Sequence, residues 1–271
     1  MAQARSENFP VASRFLPRSL RPHLLALYGF ARLVDDIGDE AEGDRLAQLD
    51  WAEAELRRAA AGTADHPVFR TLTPTMCAFA LPLAPFEDLI AANRQDQVVH
   101  RYATFDDLEA YCMRSAAPVG RLVLGVFGLA TPERLERSDR VCVGLQLVEH
   151  LQDVAEDASA GRVYLPADDL ARFGCDPDHL LEEAQRPALR AVVAHELRRA
   201  RGLLAEGAPL SRTLPLRPRL AVAAFSAGGN AALDAIEAAG HDVVATRCRP
   251  RSLTFARRLI TTVLARGAGN S

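Results

Sequence analysis

Apolar residues recur along this chain at intervals of three and four and rarely alternate one for one, which is the spacing of helices. Over residues 21–41, Leu24, Leu27, Tyr28, Ala31, Leu33 and Val34 mark one side of a helix, and Pro22 suits its first turn. Residues 44–61 predict a second helix, bounded by Gly43 and Gly62. Asp106, with Glu109 three positions on, has the form of a capping box and predicts a start there. That helix runs through Tyr111 and Cys112 toward Pro118. Pro132 and Glu133 open a longer one that passes Gln146 and continues to about residue 158, with Gly161 ending it. Residues 187–204 and 220–239 complete the set, while the Pro-rich stretches 71–85 and 203–218 predict irregular links or broken helices.

Strand signals are scarce, with aromatics at 6%, and no internal repeat or composition break divides the chain. The expectation is an all-α single domain over residues 1–271, its core about 6–251, followed by a basic C-terminal helix at about 252–266. A chain of 271 residues can bury a sizeable core without staples.

Charge narrows the function. The net charge is −3, so no global field attracts nucleic acid, and no nucleic-acid partner is expected. All 32 basic residues are Arg, because the chain has no Lys. That excludes Schiff-base chemistry, a Walker A loop and the kinase strand lysine. Five widely spaced Cys without any C-x-x-C argue against a disulfide frame or structural zinc and for reduced thiols. Residues 1–21 lack the apolar run of a signal peptide, and no stretch reaches the ~18 apolar residues of a membrane span. A cytoplasmic location is expected. From Arg247 to Ser271 there are six Arg and no acidic residue, with Leu253, Phe255, Leu259, Ile260, Val263 and Leu264 at roughly helical spacing. Two readings stay open: a terminal helix packed on the core, or a peripheral contact with an anionic membrane surface at its inner face.

The most informative feature is a pair of acidic helical segments. Asp35 and Asp39 are four residues apart and share a face, among Leu33, Val34 and Ile37. Glu149, Asp153 and Asp157 form a longer stripe among Leu147, Val148, Leu151 and Val154. These neighbours predict core-packed segments, where unpaired like charges cost several kcal/mol. A compensating cation is expected, and a hard divalent ion with oxygen ligands is the natural candidate. Two such segments facing each other across a bundle would hold metal against a diphosphate.

Several blocks in order make the chain similar to the squalene/phytoene synthase family, over about residues 6–251. The opening Ser6-Glu7-Asn8-Phe9-Pro10-Val11-Ala12-Ser13, then Leu16-Pro17, resembles that of the hydroxysqualene-forming subgroup. So does Tyr28-Gly29-Phe30-Ala31-Arg32 running into Asp35 and Asp39. Tyr111-Cys112-Met113-Arg114-Ser115-Ala116 with Pro118-Val119-Gly120-Arg121 is the third block. Leu151-Gln152-Asp153-Val154 and Gly161-Arg162-Val163-Tyr164-Leu165-Pro166 form the fourth. The resemblance implies a helical bundle of the class I isoprenoid synthase type with a central apolar cavity. It implies Asp35, Asp39, Asp153 and Asp157 as catalytic ligands of two or three Mg²⁺ ions, with Glu149 able to join them. Ser6, Asn8, Phe9, Arg32, Tyr111, Val119, Gly120, Gln146 and Tyr164 would contact substrate, Arg32 through the diphosphate. The chain departs from the usual pattern at Glu149, where Asn is common, at Gln152 in place of Arg, and at Ala117 in place of Asn. Gln152 fits the hydroxysqualene subgroup.

The activity so implied is ionisation of presqualene diphosphate, rearrangement and water capture to hydroxysqualene, without a nicotinamide cofactor; no G-x-G-x-x-G is present. The substrate would be a long-chain isoprenoid diphosphate. An enzyme making presqualene diphosphate and a hydroxysqualene reductase would be functional partners. Head-to-head prenyl transfer and a non-catalytic scaffold role stay open as alternatives. A nucleotide-pyrophosphatase reading lacks its E-x-x-E-D pattern.

Overall fold

Residues 18–245 are described in this computed structural model. Ser6, Asn8, Phe9, Cys248 and the segment expected as a basic C-terminal helix lie outside them. The helices are α1 (Arg21–Asp39), α2 (Arg45–Ala60), α3 (Pro67–Ala78), α4 (Ala84–Asp96), α5 (Phe105–Ser115) and α6 (Ala117–Val126). They continue with α7 (Pro132–Gln152), α8 (Val154–Ser159), α9 (Ala167–Arg172), α10 (Arg186–Gly207), α11 (Leu210–Thr213) and α12 (Leu216–Ala238). Among the described residues the only β pairing is a single bridge between Arg101 and Val163. No described helix is long and apolar enough to cross a membrane. Cys77, Cys112, Cys142 and Cys175 are free thiols.

The apolar spacing of α1 becomes its buried face: Leu24, Leu27, Phe30, Val34 and Ile37. Phe30 meets Phe69 and Phe86 edge-on, at ring centroids 5.8 and 5.2 Å, and so joins α1, α3 and α4 in one apolar cluster. A second cluster gathers α5, α7, α10 and α12 around Leu108, Val143, Leu147, Val193 and Leu233. The two acidic segments sit on helices belonging to different clusters. Their separation in the fold is therefore set by how the two cores pack.

Several expected boundaries move. Residues 71–85, read as irregular links or broken helices, are broken helices: 71–78 belong to α3, which carries Pro74 within it, and α4 starts at Ala84. Pro74 is on the exposed side, so the Arg70 carbonyl it frees can turn to water. The cap of α5 is Thr104 rather than Asp106, and Asp107 rather than Glu109 closes the reciprocal box. The long helix through the second acidic segment does not run unbroken to residue 158. It breaks at Asp153, which ends α7 and precedes α8. The link at 203–218 is a set of broken helices, as expected.

Candidate active site

Gly38 brings the first acidic segment close to α4. A Cβ there would stand 2.1 Å from Asn93 Oδ1, so a larger residue would displace the Asn93 side chain. Its carbonyl accepts Gln97 Nε2 at 3.0 Å and Arg45 Nη1 at 3.1 Å. Asn93 Nδ2 donates to Asp35 Oδ1 at 3.4 Å and to the Leu89 carbonyl at 3.1 Å, fixing the half-buried Asp35 from across the interface. Asp39 is exposed.

The second segment is shaped by its end. Gly161 takes a left-handed φ of 79°, Gly161 N–H reaches the Ala158 carbonyl at 3.0 Å and Arg162 N–H reaches the Asp157 carbonyl at 2.8 Å. This is a Schellman turn. Val163 N–H then bonds the His100 carbonyl at 2.8 Å and stitches the chain to the segment before α5. The turn brings the Arg162 side chain back over α8. Its Nη2 lies 3.7 Å from Asp157 Oδ1 and its Nη1 lies 3.7 Å from Asp39 Oδ1. The two acidic segments thus meet at one guanidinium. Burial works against the Arg162 charge, but Tyr164, Asp39, Asp157 and Asp96 outweigh it and hold its pKa above the usual value.

Burial differs along the stripe. Asp157 is buried, Asp153 half-buried and Glu149 exposed. The expectation of core-packed acidic segments therefore holds for Asp157 and fails for Asp39 and Glu149, which are exposed. Arg32 pairs with Asp36 on the same helix at 2.7 Å and lies 3.6 Å from Glu40, which caps the helix end.

Beside the charged pair lies an aromatic group. His150 stacks on Tyr164 at 4.0 Å, and Tyr102, Tyr111 and Tyr164 have ring centroids 5.3–5.9 Å apart. The Tyr102 hydroxyl accepts from Gln95 Nε2 at 3.4 Å, and the other two converge on Asp96. Tyr111 donates to Asp96 Oδ2 at 2.6 Å and Tyr164 to Asp96 Oδ1 at 3.1 Å. Burial pushes the Asp96 carboxyl up to about 6, against the opposing effect of those two hydroxyls. Burial likewise raises Tyr111 and Tyr164 well above the ordinary phenol. Gln146 Nε2 lies 3.4 Å from His150 Nε2, one turn along α7. A small cavity, about 10 Å³ and so of the size of one water, is lined by His150, Asp157, Arg162 and Tyr164 together with Val154, Val163, Leu165 and Leu180. Val119 is exposed, and Gly120 sits where α6 crosses α7, a Cβ there meeting Ser138 Oγ at 2.4 Å.

Arg162, Asp96, Asn93 and His150 were not singled out from sequence. Arg162 lies in the Gly161–Pro166 block, where its own position carries no chemical signature. Asp96 lies on α4, for which no periodicity was read.

A different cluster offers ligand atoms close together: Asp169, His195 and Glu196, within 4.8 Å of one another. A cation already serves it, since Arg199 contacts Asp169 and lies 2.5 Å from Glu196 Oε1. The two acidic segments, whose ligand atoms do not converge to within 4.8 Å as a group of three, offer carboxylate oxygens, the donor type that suits a hard divalent ion such as Mg²⁺.

An all-helical fold with paired acidic segments over an aromatic-lined space is that of the terpenoid synthases. The family model described as Squalene/phytoene synthase matches residues 2–257, and the chain belongs to that family. It is 38% identical over 213 residues to a hydroxysqualene synthase of Rhodopseudomonas palustris, covering 76% of this chain and 71% of that one. It is 34% identical over 211 residues to a phytoene synthase of Arthrospira platensis, covering 72% and 68%. The crystal structure of squalene synthase HpnC from Alicyclobacillus acidocaldarius superposes with a TM-score of 0.83 at 45% identity, covering 89% of this chain and 91% of that one. Family members act on prenyl diphosphates and generally use divalent metals.

Proposed function

We propose that this protein is a hydroxysqualene synthase acting on presqualene diphosphate. The observation that carries the reading is the approach of Asp39 and Asp157 to one guanidinium, which brings the two acidic segments together. Asp35, Asp39, Asp153 and Asp157, with Glu149, would hold Mg²⁺. When bound, Mg²⁺ supplies positive charge to the leaving diphosphate. Arg32 contributes a guanidinium fork suited to diphosphate oxygens once it turns from Asp36. The carbon–oxygen bond breaks and its electron pair leaves with the diphosphate. The cyclopropylcarbinyl cation would rearrange against Tyr111 and Tyr164, whose aromatic faces favour positive charge, with Val119, Gly120 and Gln146 along the carbon chain. Ser6, Asn8 and Phe9 would cover the carbon chain from the N-terminal segment. Water then adds its oxygen to the cation and loses a proton, giving hydroxysqualene. No electron donor is required. The chemistry needs an upstream enzyme that makes presqualene diphosphate and a downstream reductase that consumes the alcohol. Water-insoluble substrate and product favour a cytoplasmic protein that touches the inner membrane face.

The phytoene synthase relative at 34% identity supports a second reading, head-to-head condensation of two C15 or C20 diphosphates. A matched set of C15, C20 and C30 diphosphates, each given with Mg²⁺ and no nicotinamide, separates the two. A C30 alcohol from presqualene diphosphate alone supports the proposal. Presqualene diphosphate or phytoene from the shorter substrates, with no turnover of the C30 one, replaces it with the second reading.

A further inference from the structure

The Arg162 guanidinium is held by charge rather than by directed bonds. At 3.7 Å neither of its contacts to Asp39 and Asp157 is a hydrogen bond. Its Nε is buried and has no acceptor among the described residues. Its backbone, however, is fixed by the Schellman turn and by the Val163–His100 bond. A firmly anchored stem thus carries a head that sits between two carboxylates without being locked to either. A structural strut would show short, paired contacts, such as the fork that Arg121 makes to Asp139 at 3.0 and 2.9 Å.

We propose that Arg162 is a resident counter-cation of the site: in the metal-free protein its guanidinium offsets repulsion between Asp39 and Asp157, and it gives up that place when a divalent ion enters with a diphosphate. Arg162 is then a positioning residue, which keeps the two acidic segments at working distance before loading and sets how hard the metal must compete. The inference rests on the proposed reading of those segments as metal-bearing. Removing the guanidinium charge should leave the carboxylates more repulsive when empty and more attractive to a divalent ion.

The test compares wild type, Arg162→Gln and Arg162→Lys by thermal melting, with and without Mg²⁺ and inorganic diphosphate, and by Mn²⁺ titration followed by electron paramagnetic resonance. Arg162→Gln should melt below wild type without metal. Its rise on adding Mg²⁺ and diphosphate should exceed the wild-type rise by about 2–4 °C. It should bind Mn²⁺ about tenfold tighter, the scale expected when one nearby like charge is removed. Arg162→Lys should behave as wild type. Equal increments and equal Mn²⁺ affinity in wild type and Arg162→Gln would make Arg162 a strut and overturn the inference alone. No response of either protein to metal and diphosphate would overturn the metal-bearing reading as well. Should the variants not fold, the wild-type Arg162 Nε–H resonance serves: it should shift on loading, and a resonance that stays in place overturns the proposal.

Discussion

Asp39 and Asp157 each lie 3.7 Å from a terminal nitrogen of the same guanidinium, although one ends α1 and the other lies on α8. They belong to helices rooted in different apolar clusters. Neither segment alone makes a site; the packing of the two cores does.

Asp39→Asn and Asp157→Asn should each cut Mg²⁺-dependent diphosphate release by about a hundredfold or more, the scale of losing one charge-stabilising group in a reaction. Circular dichroism should show the fold retained. A variant keeping more than a tenth of wild-type release would remove its residue from the metal set.

The Asp96 carboxyl, raised to about 6 from 3.8, stays protonated in the folded chain over a range where the unfolded chain has lost its proton. Its stabilising contribution is full below the unfolded value and is lost as pH rises through about 6. Wild type should lose about 2–3 kcal/mol relative to Asp96→Asn between pH 4 and pH 7, by linkage. Urea unfolding at four pH values measures this. Parallel pH profiles for the two proteins would show Asp96 to be an ordinary carboxylate.

Gly38→Ala should force Asn93 away from Asp35, because a Cβ there would stand 2.1 Å from Asn93 Oδ1. The expected cost is about 1–3 kcal/mol, as for other overpacked contacts, with weaker Mn²⁺ binding alongside. Unchanged stability and unchanged Mn²⁺ affinity would mean that the α1–α4 approach does not position Asp35.

The helices α1, α2, α10 and α12 were legible because their apolar residues repeat at helical spacing over long spans. Both acidic segments were legible for the same reason. The rest was hidden by local effects. Pro74 disguised α3, although Phe69, Leu72 and Met76 keep the helical spacing of its buried face. Asp153 broke a run whose hydrophobic pattern continues across it. Asp96 and Arg162 have no periodic signature. Their importance comes from partners brought by tertiary packing: Tyr111 and Tyr164 for one, Asp39 for the other. The burial of Asp157 against the exposure of Asp39 and Glu149 was likewise out of reach, because facing helices set it.

The central claim is that the two acidic segments hold divalent metal together. Anomalous scattering from crystals soaked in Mn²⁺ and inorganic diphosphate tests it most directly. Peaks between Asp35/Asp39 and Asp153/Asp157 are predicted. Peaks confined to the Asp169–His195–Glu196 cluster, or no peak at either place at saturating Mn²⁺, would contradict it.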